Sequence, residues 1–394
     1  MSLRNKIANA LNSKAQEFTS FDQQLNSSSL FYDEKICEFS KLNYEEILAN
    51  LSDFSAPGAI PLAEFQTSKN LVVKFNEQWS NHEEARTWAY KILLGHPTFA
   101  ADGSQIMPSK DLSLPVAAIQ VAWFENPHTP NGQYTKNTRV EVLSPNDLLM
   151  GKGAELQVSD QMVNLRRFQL EVEVLTNYME SYAQNNDTSK TPPLVFLDSS
   201  IVISFAERWH EDQRKLFIEP LIRLLDVSEA TNIPIVGYVD TTLACDITVM
   251  FKYFFALDIQ RSPLHDAYLF RNLAWGDRSI FFTCARAGLL DQFGKHKRGV
   301  GFVYLKTNQN LPARLDIPVW VYEKGLLDYV INLVRAEVVV GVGYPYPLAT
   351  ADATAFISST DREAFYQIFQ QFLQKQEINI HVSQKALSKS QTRR

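Results

Sequence analysis

The order of apolar runs along the chain predicts an α/β fold, a mixed sheet flanked by helices, and three observations carry that reading. Runs rich in Val, Ile and aromatic residues at 98–106, 115–125 and 138–143 follow one another with connections too short to hold crossover helices, which reads as an antiparallel meander. A long segment of helical periodicity follows at 158–184. From there strand-like and helix-like segments alternate, as parallel strands require.

Residues 1–90 are expected to form a mostly helical, polar extension, with NYEEILANLSDF (43–54) as an amphipathic run and SAPGAIP (55–61) as a Pro/Gly break. The main domain is expected over 91–380. It opens with the strands TFAADGSQI (98–106), PVAAIQVAWFE (115–125) and TRVEVL (138–143). The helix 158–184 is predicted to be capped by Ser159 or Asp160, with Met162, Leu165, Phe168 or Gln169, Val172 and Leu175 near helical spacing. AQNNDTSKTPP (183–193) breaks it. LVFLDSS (194–200) reads as a buried strand ending in an acid, followed by a helix at 214–231 and a strand at 233–239. Further on, 299–306 and IPVWVYE (317–323) read as strands, and 325–340 and 360–374 as helices. Residues 381–394 read as a basic flexible tail.

The chain of 394 residues has a formal net charge of -6, which argues against a uniformly basic nucleic-acid coat; a polyanionic partner would need a local basic groove or bound cations. Cys37, Cys245 and Cys284 form no C-x-x-C pair and fit a reducing compartment. No apolar stretch approaches the roughly 18 residues of a membrane span, so a cytoplasmic, membrane-free protein is expected. His82, His128, His210, His265 and His381 are scattered without H-E-x-x-H spacing, which disfavours a zinc hydrolase. No Walker A loop is present, so ATP-driven motion would come from a partner.

Asp-Gly is a common turn pair, and Asp102-Gly103 alone would be read so. Chain order changes that reading. In a ribonuclease-H-like arrangement the fourth strand lies beside the first, so Asp102 and the strand-end Asp198 become neighbours, and the intervening helix can lean Glu171 or Glu173 over them. Those two glutamates lie about 200° apart around a regular helix and cannot serve one face. Converging carboxylates repel unless cations lie between them. Hard divalent ions suit such oxygen ligands, and a pair about 4 Å apart stabilises both the attacking and the leaving oxygen of a phosphodiester. Gly103 would permit close backbone approach, and Ser104 could donate to a carboxylate or phosphate.

AADGSQI, NLRRFQLEVEVL, LVFLDSS, IVGYVDTT and GYPYPLATADATAFI, in this order over about residues 90–360, together resemble the NurA family of prokaryotic nucleases, which work with the hexameric HerA translocase. The resemblance implies a ribonuclease-H-like fold, Mn²⁺-dependent DNA cleavage with Mg²⁺ as the alternative ion, 5'-to-3' exonuclease and single-strand endonuclease activity in DNA end resection and double-strand-break repair, and a homodimer. It makes Asp102 the central metal ligand, Asp198 the second strand-end acid and Glu171 the helix acid. Tyr344 and Asp352 match a late Tyr and His of the family's site, so Asp stands here where the family has His. Asp352 is expected to be a fourth ligand, and Tyr344 to contact substrate or orient water. Asp-Ser-Ser replaces the usual Asp-Gly-Ser at 198–200, and Asp240 stands near the place of a family lysine. Arg167 and the GKHKRG cluster, with Lys295, Lys297 and Arg298, are the candidate phosphate contacts, and Arg167 could instead pair with Glu171. Rival readings are a ribonuclease-H-like enzyme acting on RNA or RNA–DNA hybrid, and an inactive DNA-end-binding adaptor.

Overall fold

The computed structural model describes residues 2–130, 132–151, 157–186, 188, 191–203, 209–257, 264–379 and 381. Its elements begin with α1 (Leu3–Asn12), α2 (Ala15–Phe39), α3 (Tyr44–Ser52), β1 (Gly58–Pro61), β2 (Val72–Val73) and α4 (His82–Leu93). The middle of the chain forms β3 (Thr98–Ile106), β4 (Ala117–Asn126), β5 (Thr135–Leu143), β6 (Leu149–Met150), β7 (Gln157–Val158), α5 (Asp160–Asn185), β8 (Leu194–Leu197), α6 (Glu211–Thr231) and β9 (Ile235–Val239). There follow α7 (Asp246–Phe254), α8 (Asp266–Leu269), β10 (Arg278–Ser279), β11 (Phe282–Ala285), β12 (Val300–Leu305) and β13 (Ala313–Pro318). The last helices are α9 (Val319–Glu323), α10 (Leu327–Val340), α11 (Tyr346–Ala355) and α12 (Ser359–Lys375).

These elements divide into two compact units that are not collinear with the chain: Met1–Gln78 joins Tyr238–Val319, and Trp79–Gly237 joins Trp320–Arg394. The helical N-terminal region therefore shares a unit with residues from the middle of the chain. In that first unit β1, β11, β12 and β13 are neighbours in order, all antiparallel, and β10 pairs with β12 and β2. The Pro/Gly break at 55–61 thus contains a strand, because Gly58–Pro61 finds its partner in Phe282–Ala285. Phe39 anchors the helices there, with ring centroids 5.5 Å from Phe65 and 5.2 Å from Phe251. Beneath them Asp246 accepts hydrogen bonds from both Arg286 and Arg314, and Arg314 Nε also donates to Asp316 at 2.7 Å.

The second unit is built on the order β9, β8, β3, β4, β5, with β9, β8 and β3 parallel and β3, β4 and β5 an antiparallel meander. This mixed sheet has the strand order expected of a ribonuclease-H-like fold. All four side chains of β8 are buried, as an apolar central strand demands. α5 starts where the sequence says it should, with the Ser159 side chain accepting from the Gln161 amide at 3.2 Å. Its buried stripe runs through Val163, Leu165, Phe168, Val172, Leu175 and Met179, so Val163 takes the place expected for Met162. α5 packs on β3 and β4 and against α6, while α11 also packs on β3 and β4. One segment departs from expectation: IPVWVYE is strand only to Pro318, and Val319–Glu323 turns as a helix. A short apolar run carries no period that separates the two states. The expected tail lies, apart from His381, outside the described residues.

Candidate active site

The parallel register of β3 and β8 builds the site. Ala101 stands opposite Leu197, the last residue of β8, so Asp102 and Asp198 are the next residues in line on adjacent strands. A single polar step out of two apolar runs, taken at the same level, is what brings these acids together. Gly237 on β9 helps to hold the second: a Cβ there would lie 2.6 Å from the Ser199 carbonyl oxygen, so only glycine lets the loop behind Asp198 settle on this strand. Tyr344 reaches the same carboxylate, its hydroxyl donating to Asp198 Oδ1 at 2.6 Å. Tyr344 follows a tight turn off α10 in which Val342 and Gly343 have φ of 56° and 111°, and the Gly343 amide donates to the Val338 carbonyl at 2.9 Å.

Side chains alternate along a strand, so Asp102 and Gly103 face opposite sides of the sheet. The missing side chain of Gly103 leaves a gap that α5 fills: a Cβ there would sit 2.5 Å from Glu171 Oε1 and 2.8 Å from Arg167 Cγ. Arg167 Nη1 donates to the Gly103 carbonyl at 2.8 Å. Its Nε lies 3.6 Å from Glu171 Oε1, too far for a hydrogen bond, and both atoms are buried without a hydrogen-bond partner. Glu173, on the other side of α5, pairs with Arg139 on β5 at 2.9 Å. Helix geometry thus separates the two glutamates as expected.

Electrostatics ties the acids into one group. Burial pushes the Asp102 carboxyl up to about 6, the Gly103 amide opposes this, and Asp198 and Asp352 add to it. Burial likewise pushes Glu171 up to about 7, against the pull of Arg167 and, more weakly, of the Gly103 amide, with Asp102 and Asp198 reinforcing the rise. Asp352 projects from α11, whose C-terminal carbonyls at Thr354 and Ala355 accept from Gln120 Nε2 of β4 at 3.4 and 3.1 Å. That brace was missed from sequence; its one signal is a lone amide inside the apolar run 115–125.

The donor set is made of carboxylate oxygens with a phenol alongside, and one of these oxygens, Glu171 Oε1, is buried without a hydrogen-bond partner. That chemistry fits a hard divalent cation. The set is open as it stands: among the described residues no three His, Cys, Asp or Glu side chains are close enough together to hold a metal ion.

Of the remaining candidates, one lies near these acids and three lie in the other unit. Ser104 is half-buried on β3 opposite Gln120. Lys295, Lys297 and Arg298 belong to the first unit. There Lys297 pairs with Asp291 at 2.7 Å, and Arg298 donates to the Ser55 carbonyl at 3.0 Å.

The mixed sheet thus sets one acid within β3 level with another just past the end of β8, and packs a helix carrying a third against them. Residues 96–357 match the NurA domain, so the chain belongs to the NurA family and is a nuclease. No curated protein matches it. Among solved structures, endonuclease V from Bacillus subtilis aligns at 10% identity over 77% of this chain and 97% of its own, with a TM-score of 0.30. The catalytic domain of human endonuclease V aligns at 13% identity over 73% and 94%, with a TM-score of 0.31. Endonuclease V from Ciona intestinalis, in complex with a 24mer DNA containing an inosine followed by a ribo-adenosine, aligns at 11% identity over 73% and 96%, with a TM-score of 0.26. No helix among the described residues is long and apolar enough to cross a membrane.

Proposed function

We propose that the chain is a divalent-metal-dependent deoxyribonuclease, a 5'-to-3' exonuclease and single-strand endonuclease acting in DNA end resection and double-strand-break repair. One observation carries this reading: Glu171 is seated in the Gly103 gap with a buried, unpartnered oxygen, in the electrostatic reach of Asp102 and Asp198. Keeping a carboxylate there without a cation is costly, as its raised pKa records. Asp102, Glu171 and Asp198 would hold Mn²⁺, or Mg²⁺, and Asp352 would add a fourth carboxylate. Bound cations would supply the positive charge that offsets the oxygens of a phosphodiester during in-line displacement. Tyr344 holds the Asp198 carboxylate through its hydroxyl, and Ser104, two residues after Asp102 on β3, would donate to a phosphate oxygen. The chain would act as a homodimer and take its motion along DNA from a HerA-type hexameric ATPase, since its own sequence lacks a nucleotide-binding loop.

End-labelled linear duplex and single-stranded DNA, incubated over a Mn²⁺ titration with wild type and Asp102→Asn, test the reading. Cleavage by the wild type and none by the variant is expected; equal cleavage by both would remove Asp102 from the site. Size exclusion with the ATPase at low salt tests the partner, and two separate peaks would count against it.

A second reading, an inactive DNA-end-binding adaptor, is favoured by the openness of the carboxylate set. Folded protein that binds DNA ends but cuts nothing in Mn²⁺, Mg²⁺ or Co²⁺ would establish it.

A further inference from the structure

Arg167 sits one helical turn before Glu171 on α5, and its contacts run toward the strand. The Nη1 atom is committed to the Gly103 carbonyl at 2.8 Å, and Cγ and Cδ would lie 2.8 and 3.3 Å from a Cβ on Gly103, so the stem itself lines the gap. The side chain is about one-third exposed, and its Nε is buried, facing Glu171 Oε1 at 3.6 Å. A phosphate contact would present the guanidinium fork to the ligand. Here one arm of the fork is bonded to strand backbone, and the inner edge faces a carboxylate without consuming its lone pair.

We propose that Arg167 is a positioning residue: it ties α5 to β3 through the Gly103 carbonyl and holds the Glu171 carboxylate in the gap by charge, with Oε1 free of any hydrogen bond that a cation would have to replace. The cation rests on the nuclease reading above; the seat is a property of α5 and β3 alone. Two effects of Arg167 on a divalent ion oppose each other. A guanidinium near the ion repels it, whereas a carboxylate already seated spares the ion the ordering of its ligand. The sign of the change on removing Arg167 separates them.

Mn²⁺ binding to the full-length chain is measured by calorimetry for wild type, Arg167→Met and Arg167→Lys, each checked for folding by circular dichroism. Positioning predicts that Arg167→Met weakens Mn²⁺ binding by about 10–100-fold, the usual cost of losing an outer-sphere partner. Arg167→Lys should stay impaired, since an ammonium keeps the charge but cannot span both contacts. Tighter Mn²⁺ binding by Arg167→Met, or full recovery by Arg167→Lys, would overturn the proposal. So would a fall of about one in the salt-dependence slope of DNA binding, which marks a lost phosphate contact. A crystal structure of metal-free Arg167→Met gives a readout independent of catalysis: Glu171 is expected turned out of the gap, and a Glu171 still seated there refutes the role. If wild type takes up no Mn²⁺, the nuclease reading fails, and that crystal structure still decides the role of Arg167.

Discussion

Asp246 in the first unit and Glu171 in the second are both buried carboxylates facing arginine, yet their protons are held in opposite ways. Burial pushes Asp246 up, but Arg314 and Arg286 outweigh it and hold the carboxyl below its ordinary range, with hydrogen bonds to both. Burial also pushes Glu171 up, and there it wins: the single Arg167 stands beyond hydrogen-bond distance and two further acids oppose it. A buried charge that is fully matched serves the fold. One that is left short is poised for something the chain does not itself supply.

The largest effect is expected at Arg314. Arg314→Met would remove the Nε hydrogen bond to Asp316 and leave Asp246 with Arg286 alone of its two arginines, and a loss of about 3–5 kcal/mol is expected in chemical denaturation. If Arg314→Met is as stable as wild type, the matched network is not what holds the first unit. Asp102→Asn should do the reverse, lowering Mn²⁺-dependent cleavage by more than about a hundredfold because a lost ligand forfeits several kcal/mol of charge stabilisation, with the unfolding midpoint unchanged or higher.

Gly103→Ala sharpens the contrast. The atoms it displaces, Glu171 Oε1 and Arg167 Cγ, belong to side chains and not to backbone, so the fold should survive while Mn²⁺ binding and cleavage fall as they do in Glu171→Gln. Cleavage at the wild-type level would show that the seated position of Glu171 is irrelevant. Glu173→Gln, which loses only a partly exposed pair with Arg139, should cost less than about 1 kcal/mol and leave the rate alone.

The gentlest probe is pH. Asp102 and Glu171 bind their protons more tightly folded than unfolded, with pKa values raised to about 6 and about 7. Their contribution to stability is therefore full below about pH 4 and lost as pH rises through 6 to 7. Metal-free protein should lose melting temperature over that window, and Glu171→Gln should flatten the loss. The same protons compete with cations, so the Mn²⁺ needed for half-saturation should fall as pH rises from 6 to 8. A half-saturation point that does not move would take these acids out of the metal site.

Much of this site can be read from residue order. Asp102 and Asp198 are legible because a meander, a helix and a returning strand leave few ways to pair, and Glu171 separates from Glu173 by helical period alone. Other features rest on contacts distant in sequence. Nothing near Gly58 announces a partner at Ala285, so the sharing of a unit by residues 1–78 and 238–319 could not be foreseen. The direction of Arg167 is equally hidden: a basic residue one turn before an acid suits a phosphate, an ion pair or a backbone tether, and only the Gly103 carbonyl decides among them. Lys297 and Arg298 read as a cationic loop until Asp291 and the Ser55 carbonyl come within reach.

The gap at Gly103 also bears on how such a chain can change by descent. Every replacement of glycine adds at least a Cβ, so no inherited substitution at 103 leaves the place of the Glu171 carboxylate empty. Position 352 is different: it is exposed at the surface of α11. A change at 352 alters one exposed side chain and nothing around it, but a change at 103 displaces the helix acid in the same step.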